Sequence, residues 1–427
     1  MSSYDIVLIT IDSLRADSVG FLDPDAPSTP NMDAFADDAT LTAAATTPSS
    51  HTRASVPAIL TSQYAHRFFT NFLQDIETPT IAQRLSDVGY STAAFHSNPL
   101  LSRHFGYERG FDEFSDGLRF FEETQLPEKA TRLYSKVVRL LQRYPYQPAQ
   151  TITQQAVDWL ASNDDDSPLF LWVHYMDPHG PYALDRNRGY LDKFQSERLW
   201  HKAVSEPEAV TNDELARLRA GYRGEIEHTD QKLEPLFDAI NRYTDDACVV
   251  LTGDHGEEFR EHGEFTHMPK LYEEVTRVPF VLNIPEVEDL SAPDPITLLD
   301  VLPTLLDHVD GAEVNPSVGI NLVAPANDRE YVVAETNPDD GGAIVGIRGN
   351  RYKYISDGTE RELYDLVNDP SEQKNMAGSG HDGEELLERT LQEHLEEYRF
   401  DGGDKLNATA GKMDSEMQGR LEDLGYL

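Results

Sequence analysis

Cysteine is nearly absent from this sequence: one residue, Cys248, in 427. A single thiol excludes an internal disulfide and a thiolate metal cluster, and its place in an apolar, strand-like run gives it a packing role. Basic residues are scarce too. Lys and Arg total 36 against 76 Asp and Glu, a formal charge of -40, which repels nucleic acid and anionic membrane surfaces as partners. No apolar run approaches the length of a membrane span. Residues 1–9 carry no basic stretch ahead of an apolar one, so neither an integral membrane segment nor a secretory leader is expected. There is no internal repeat. The acidic residues are scattered rather than gathered in a tail, and apolar runs such as Ile6-Val7-Leu8-Ile9 and Leu169-Phe170-Leu171-Trp172 persist between them, which excludes wholesale disorder. With 39% hydrophobic residues the chain can bury a substantial core. An evenly acidic surface suits concentrated salt, where screening suppresses self-repulsion, and the expectation is a halophilic, cytoplasmic protein.

Short β-branched runs read as buried parallel strands: Asp5–Ile11, Ser91–His96, Leu169–Tyr175, Ala247–Thr252 and Val278–Ile284. Helical patterns lie between them: Thr80–Val88 ended by Gly89, Thr151–Ala161, a long stretch within Thr211–Tyr243, and Ile296–Val309 ended by Gly311. Strand alternating with helix implies a doubly wound, mainly parallel α/β sheet. Beyond residue 325 the pattern changes to hairpin-like strands, "EYVVAE", "AIVGIRGNRYKYI" and "ELYDL", with Gly349-Asn350 as a turn, then a helix over Gly383–Tyr398. The expected organisation is a main unit over 1–325, an antiparallel α+β subdomain over 326–400 and an irregular tail over 401–427. "NDDDSP" at 163–168 reads as a solvated loop.

Ligands of an open α/β sheet bind beyond the carboxyl ends of its strands. Here "IVLITID" delivers Asp12, "LFLWVHYMDPHGPY" delivers His174, Asp177 and His179, and "CVVLTGDHGEE" delivers Asp254 and His255. One such Asp could cap the next helix, but three polar strand ends at one edge point to a shared metal or anion site. The run "SSHTRASVPAILTSQYAHR" sets a hydroxyl, Thr52, at the start of a helical segment that tolerates Pro57 in its first turn. Its residue types leave two readings open, a helix cap and a nucleophile.

"VLITIDSLRAD", "STPNMDAFA", "STAAFHSNPLLSRHFGYERGFDEF", "HYMDPHGPY", "LTGDHGEEFREHGEF", "THMPKLYEEVTRVPF" and "RYKYISDGTERELYDLVNDPSEQKNM" follow one another in this order. This ordered set resembles the sulfatase family of the alkaline phosphatase superfamily, in a haloarchaeal-type version, over nearly the whole chain. The resemblance implies a catalytic domain over 1–325 and one divalent cation held by Asp12, Asp254 and His255. It also implies that Thr52 is the nucleophile and a further metal ligand, since a cation favours its alkoxide and a helix start offers N–H groups to an anion. By the same resemblance His179 and His267 lie near the ester to bind its oxygens or protonate the leaving alcohol, and Lys270 is offset from the family's lysine; the residues themselves leave Arg53 a substrate contact or an ordinary surface cation, His174 a substrate contact or a buried ring satisfied by backbone, and His267 a surface residue in its bland reading. Two departures matter. Thr52-Arg53-Ala54-Ser55-Val56 lacks the Cys or Ser, with its Pro and Arg, that a maturation enzyme converts to formylglycine, so no formylglycine is expected. Ser13 stands where the family usually has a second aspartate, so beside the Ca²⁺ implied by the family Mg²⁺, Mn²⁺ or Zn²⁺ also fits the donor set. The expected function is a metal-dependent hydrolase or group transferase acting on phosphate or sulfate esters through Thr52, leaning to phosphorus. Its substrate would be a small anionic ester or a sulfated or phosphorylated glycan. The alternatives are a sulfuric ester hydrolase without formylglycine and a catalytically silent, metal-holding protein that binds a glycan or serves as a scaffold.

Overall fold

β1 (Ile6–Ile11) is buried at every position, and its side chains enter two different cores in turn. Ile6 and Leu8 join one apolar cluster, and Val7, Ile9 and Ile11 join the other. A strand that is apolar on both faces needs cover on both. The computed structural model describes residues 4–117, 146–163, 167–182, 193–244, 246–287, 290, 294–307, 309–324, 329–338, 342–381 and 383–398. The expected tail over 401–427 lies outside the described residues, as do residues 164–166 of the expected acidic loop.

The main sheet takes β1, β2 (Leu41–Thr46), β3 (Ser91–Phe95), β4 (Glu113–Ser115), β5 (Leu169–Tyr175), β6 (Cys248–Gly253) and, after a ribbon of β7 (Glu258–Phe259) and β8 (Phe265–Thr266), β9 (Arg277–Asn283). Across the sheet the order is β2-β9-β6-β1-β5-β3-β4. β6, β1, β5, β3 and β4 pair in parallel. The run Val278–Ile284, expected to be parallel, is corrected: β9 runs antiparallel to both of its neighbours, β6 and β2. A strand covered on both faces is a continuous apolar run in either direction, so its composition carries no sign. β2 was not anticipated, because "LTAAAT" is small and weakly apolar.

α1 (Pro30–Asp37), α2 (Thr52–Thr61), α3 (Ile81–Asp87), α4 (Ala149–Ser162), α5 (Lys193–Ser205), α6 (Asn212–Tyr243), α7 (Glu273–Thr276) and α8 (Val301–Leu306) connect the strands. Ile59 of α2, Leu85 of α3 and Leu302 of α8 pack into the core of Leu8; Met32 of α1, Ile152 of α4 and Ile226 of α6 pack into that of Val7. Helices thus cover both faces, each fully buried Leu or Ile contributing about 1.5–3 kcal/mol. Local signals set the helix starts. Thr211 Oγ1 accepts from Glu214 N at 3.3 Å and Glu214 Oε2 accepts from Thr211 N at 2.9 Å, a reciprocal cap that opens α6. The expected helix Ile296–Val309 is shorter than its pattern, with a 3-10 turn over Leu298–Asp300 leading into α8.

After α8 the chain forms a second sheet, β10 (Tyr331–Thr336), β11 (Ile344–Gly349), β12 (Tyr352–Ser356) and β13 (Arg361–Asp365), an antiparallel meander. α9 (Glu384–Tyr398) lays Leu387 and Leu391 against Val345, Ile347, Tyr354 and Leu363. Glu335 N of β10 donates to Pro48 O at 2.9 Å, and Thr336 Oγ1 meets Ser50 Oγ at 2.7 Å, so this sheet grips the segment just before α2. No helix among the described residues is long and apolar enough to cross a membrane.

Candidate active site

β1 and β6 pair with Ile11 opposite Gly253, so the next residue of each strand, Asp12 and Asp254, leaves the sheet side by side. β2 ends at the same edge, because it is antiparallel to β9 and β9 is antiparallel to β6. Its continuation leads to α2. Asp12, Thr52, Asp254 and His255 meet there with no solvent exposure. Thr52 Oγ1 lies 3.2 Å from Asp12 Oδ2 and 3.1 Å from His255 Nε2. His255 Nε2 is 3.6 Å from Asp12 Oδ1 and 3.8 Å from Asp254 Oδ1.

The protons of this cluster can be assigned. His255 Nδ1 lies 2.8 Å from the Gly256 carbonyl; a carbonyl only accepts, so Nδ1 carries the hydrogen and Nε2 presents a lone pair to the site. Burial holds His255 below the usual imidazole range, with His267 acting the same way, so the ring is neutral near pH 7. Thr52 has one hydroxyl hydrogen and two acceptors facing it, Asp12 Oδ2 and His255 Nε2. One contact therefore sets lone pair against lone pair, an arrangement that a cation relieves.

Electrostatics says the same of the carboxylates. Burial pushes Asp254 up to about 7, His255 opposing and the charge of Asp12 adding to the rise. Asp12 is held well below the usual carboxylate range, because the imidazoles of His179, His174 and His255 outweigh its burial. Asp254 Oδ1 accepts from Ser13 N at 3.2 Å and His255 N at 2.8 Å, whereas the buried Oδ2 has no hydrogen-bond partner among the described residues. Ligand atoms of Asp12, His174 and Asp254 lie within 4.8 Å of one another. The donor set fits a divalent cation.

Thr52 is the first residue of α2 and not its cap. The N-cap is His51, and it makes no side-chain cap bond. Ser13, in the left-handed region at φ 59°, donates its hydroxyl to Asp12 Oδ1 at 3.0 Å, so the residue that replaces an aspartate braces the remaining one. Asn98 was missed as an individual residue, although a quoted motif spans it. Its Nδ2 donates to Asp12 Oδ2 at 3.1 Å while its Oδ1 accepts from Leu100 N at 2.9 Å.

Around this cluster the rings of His255, His267 and His179 form a row, with centroids 4.5 Å and 5.1 Å apart. His179 Nδ1 donates to Gly180 O at 2.6 Å. Burial, with His179 adding, pushes His267 down to about 3. Glu257, which sequence reasoning did not single out, lies 3.9 Å from His267 Nδ1 through Oε1, and its Oε2 accepts from Tyr182 OH at 3.2 Å. Burial pushes it up to about 8, with His179 opposing. His174 sits against Asp12, its Nε2 3.6 Å from Oδ2, and its Nδ1 is 2.9 Å from Thr10 Oγ1. The Arg53 guanidinium lies over the Phe72 ring at 4.8 Å. Asp177 belongs to the scaffold, where its Oδ2 accepts from Ala149 N at the start of α4, 3.0 Å away. Lys270 pairs with Glu258 at 3.3 Å and donates to His262 O at 2.8 Å.

The sequence pattern described as Sulfatase matches residues 4–312. An arylsulfatase of Clostridium perfringens (strain 13 / Type A) is 25% identical over 94% of this chain and 97% of its own length. A choline-sulfatase of Rhizobium meliloti (strain 1021) is 29% identical over 50% of this chain and 48% of its own, so the chain spans about half of that relative. The phosphonate monoester hydrolase of Agrobacterium radiobacter shares the fold, with a TM-score of 0.69 at 19% identity over 92% of this chain and 95% of the other. A family match running from β1 past α8, over a site of paired buried carboxylates, imidazole and hydroxyl, means that the chain belongs to the sulfatase family of the alkaline phosphatase superfamily.

Proposed function

We propose that this chain is a metal-dependent hydrolase or group transferase that attacks phosphate esters, and sulfate esters less well, through Thr52. The observation that carries the reading is the Thr52 hydroxyl 3.2 Å from Asp12 Oδ2 and 3.1 Å from His255 Nε2, buried at the start of α2. A divalent cation held by Asp12, Asp254 and His255, Ca²⁺ by family or Mg²⁺, Mn²⁺ or Zn²⁺ by donor set, would neutralise the carboxylates and the charge developing on the ester oxygens. Asp12 Oδ2, 3.2 Å away, orients the Thr52 hydroxyl and accepts its proton, His255 Nε2 at 3.1 Å being committed to the cation. Ser13, Asn98 and His174 hold the Asp12 carboxylate in place. The Thr52 oxygen then displaces the alcohol in line at phosphorus; the imidazolium of His179 gives the leaving alcohol its proton, and His267, neutral, hydrogen-bonds the ester oxygens. Water or another alcohol takes the phosphoryl group from Thr52 in a second displacement.

The preference for phosphorus rests on that second step. Formylglycine releases sulfate by hemiacetal breakdown, a route closed to a threonine ester, whereas a threonine phosphate is open to the same in-line attack that formed it. Sulfate ester hydrolysis without formylglycine is the second reading, favoured by the names of the arylsulfatase and choline-sulfatase relatives. Small anionic esters, or phosphorylated or sulfated glycans, are the substrate class. The charge of -40 supports a halophilic, haloarchaeal-type protein of the cytoplasm. Purified protein with divalent metal, tested on aryl phosphomonoester, phosphodiester and sulfate substrates, decides: phosphoester turnover is expected to lead, and faster sulfate turnover would transfer the assignment to the second reading. No turnover of any substrate would favour the silent, metal-holding reading.

A further inference from the structure

We propose that His66, Glu335 and His394 form a second divalent-cation site, of the zinc-binding class, that joins the C-terminal sheet and α9 to the segment following the nucleophile helix. The three residues come from separate elements: His66 from a 3-10 turn over Ala65–Phe68, Glu335 from β10 and His394 from α9. His66 Nδ1 lies 3.1 Å from both Glu335 oxygens, and His394 Nε2 lies 2.5 Å from Oε1. Ligand atoms of all three fall within 4.8 Å of one another. Tetrahedral zinc with ligands at about 2.0–2.1 Å sets its donors about 3.3 Å apart, so a small outward movement of the His394 ring opens room for the ion.

The donor chemistry matches. Two imidazoles and one carboxylate make a three-ligand zinc set with an open fourth position. Glu335 is fully buried and His394 nearly so. Glu335 Oε2 also accepts from His66 N at 2.8 Å, and the Tyr64 ring meets that of His394 edge-on at 4.6 Å. These contacts supply the outer support that metal-binding side chains need. A cavity of about 340 Å³, lined by His66, Tyr64, Arg67 and Glu397 among others, reaches the cluster at His66. Water would complete the coordination. The ion would replace the two imidazole protons now shared with Glu335 and fasten α9 to the main body.

The test uses the full chain, stripped with chelator and reloaded at buffered nanomolar free Zn²⁺ so that the acidic surface stays unloaded. Wild type is expected to bind about one equivalent more than His394→Gln or His66→Gln, and to show tetrahedral Co²⁺ absorption that both variants lose. Its melting temperature should rise on zinc addition by more than theirs. If His394→Gln does not fold, His66→Gln, which removes only the outermost ligand, carries the comparison. Equal zinc content in wild type and His66→Gln, with identical Co²⁺ spectra, would overturn the site and leave a hydrogen-bonded triad. The readout is a difference, so it is independent of what binds at Asp12 and Asp254.

Discussion

Asp254 is sealed from water and Glu273 largely so, and the fold treats the two carboxylates in opposite ways. Around Glu273, at the junction of the two sheets, stand Lys353 Nζ at 3.0 Å, Arg348 Nε at 3.1 Å and Arg277 Nε at 3.5 Å. Burial would raise its carboxyl, but these cations hold it at about 2. Asp254, at the carboxyl edge of the main sheet, has backbone N–H groups on one oxygen and, among the described residues, no hydrogen-bond partner on the other, and is pushed up to about 7. Where the protein supplies the positive charge itself, the acid is part of the scaffold. Where it leaves that charge out, the site is built to receive it.

The largest expected effect tests the receiving edge. Thr52→Ala is expected to lower turnover by on the order of 10³-fold or more while leaving the melting temperature near wild type, and Thr52→Ser to keep part of the activity. Near-wild-type turnover in Thr52→Ala would take the nucleophile role from this residue. Next, Glu273→Ala strips the counter-charge from Arg348 and Arg277 and one of the two carboxylates beside Lys353, Glu372 remaining at 3.0 Å, and is expected to cost up to about 3 kcal/mol, read by denaturant or thermal unfolding. Asp254→Asn is expected to do the reverse: in chelator it should melt at or above wild type, while losing the bound metal and the stabilisation that metal gives. A variant that keeps stoichiometric metal would show that Asp254 is not a ligand.

A smaller effect comes from pH. Glu273 titrates lower in the folded chain, at about 2, than its ordinary value of 4.5. The folded state therefore binds fewer protons, and the contribution is complete above 4.5 and is lost as pH falls toward 2. Acid unfolding of wild type should steepen in that window, and Glu273→Gln should flatten it; superimposable acid curves would contradict the ion-pair assignment. Smallest per residue is the effect of salt on the exposed acids. Molar KCl, with a Debye length of about 3 Å, should raise the melting temperature well above that in low salt; equal values would remove the halophilic reading. The Glu273 cluster, already paired, should contribute little to that rise.

Local patterns carry the parts of this molecule that are local. The parallel strands ending at Asp12, His174 and Asp254 were legible because short apolar runs close on polar residues, and the structure brings Asp12, Thr52, Asp254 and His255 within reach of one another. Strand direction was not legible, as β9 shows. β2 was hidden by its alanines, although it carries the chain to Thr52. Asn98 and Glu257 act through contacts set by tertiary packing, and no spacing marks them out. The His66–Glu335–His394 cluster joins residues 269 and 59 positions apart, beyond any periodicity.

The grip of β10 on Pro48 and Ser50 bears on whether the chain can be divided. The backbone of Glu335 and the hydroxyl of Thr336 hold the loop that leads into Thr52, so part of the mounting of Thr52 is supplied from beyond residue 325. A fragment cut there would keep Asp12, Thr52, Asp254 and His255 and still lose the clamp on the loop before Thr52. Adding the remaining segment back as a separate peptide should then restore turnover, which would make this chain a natural subject for fragment complementation.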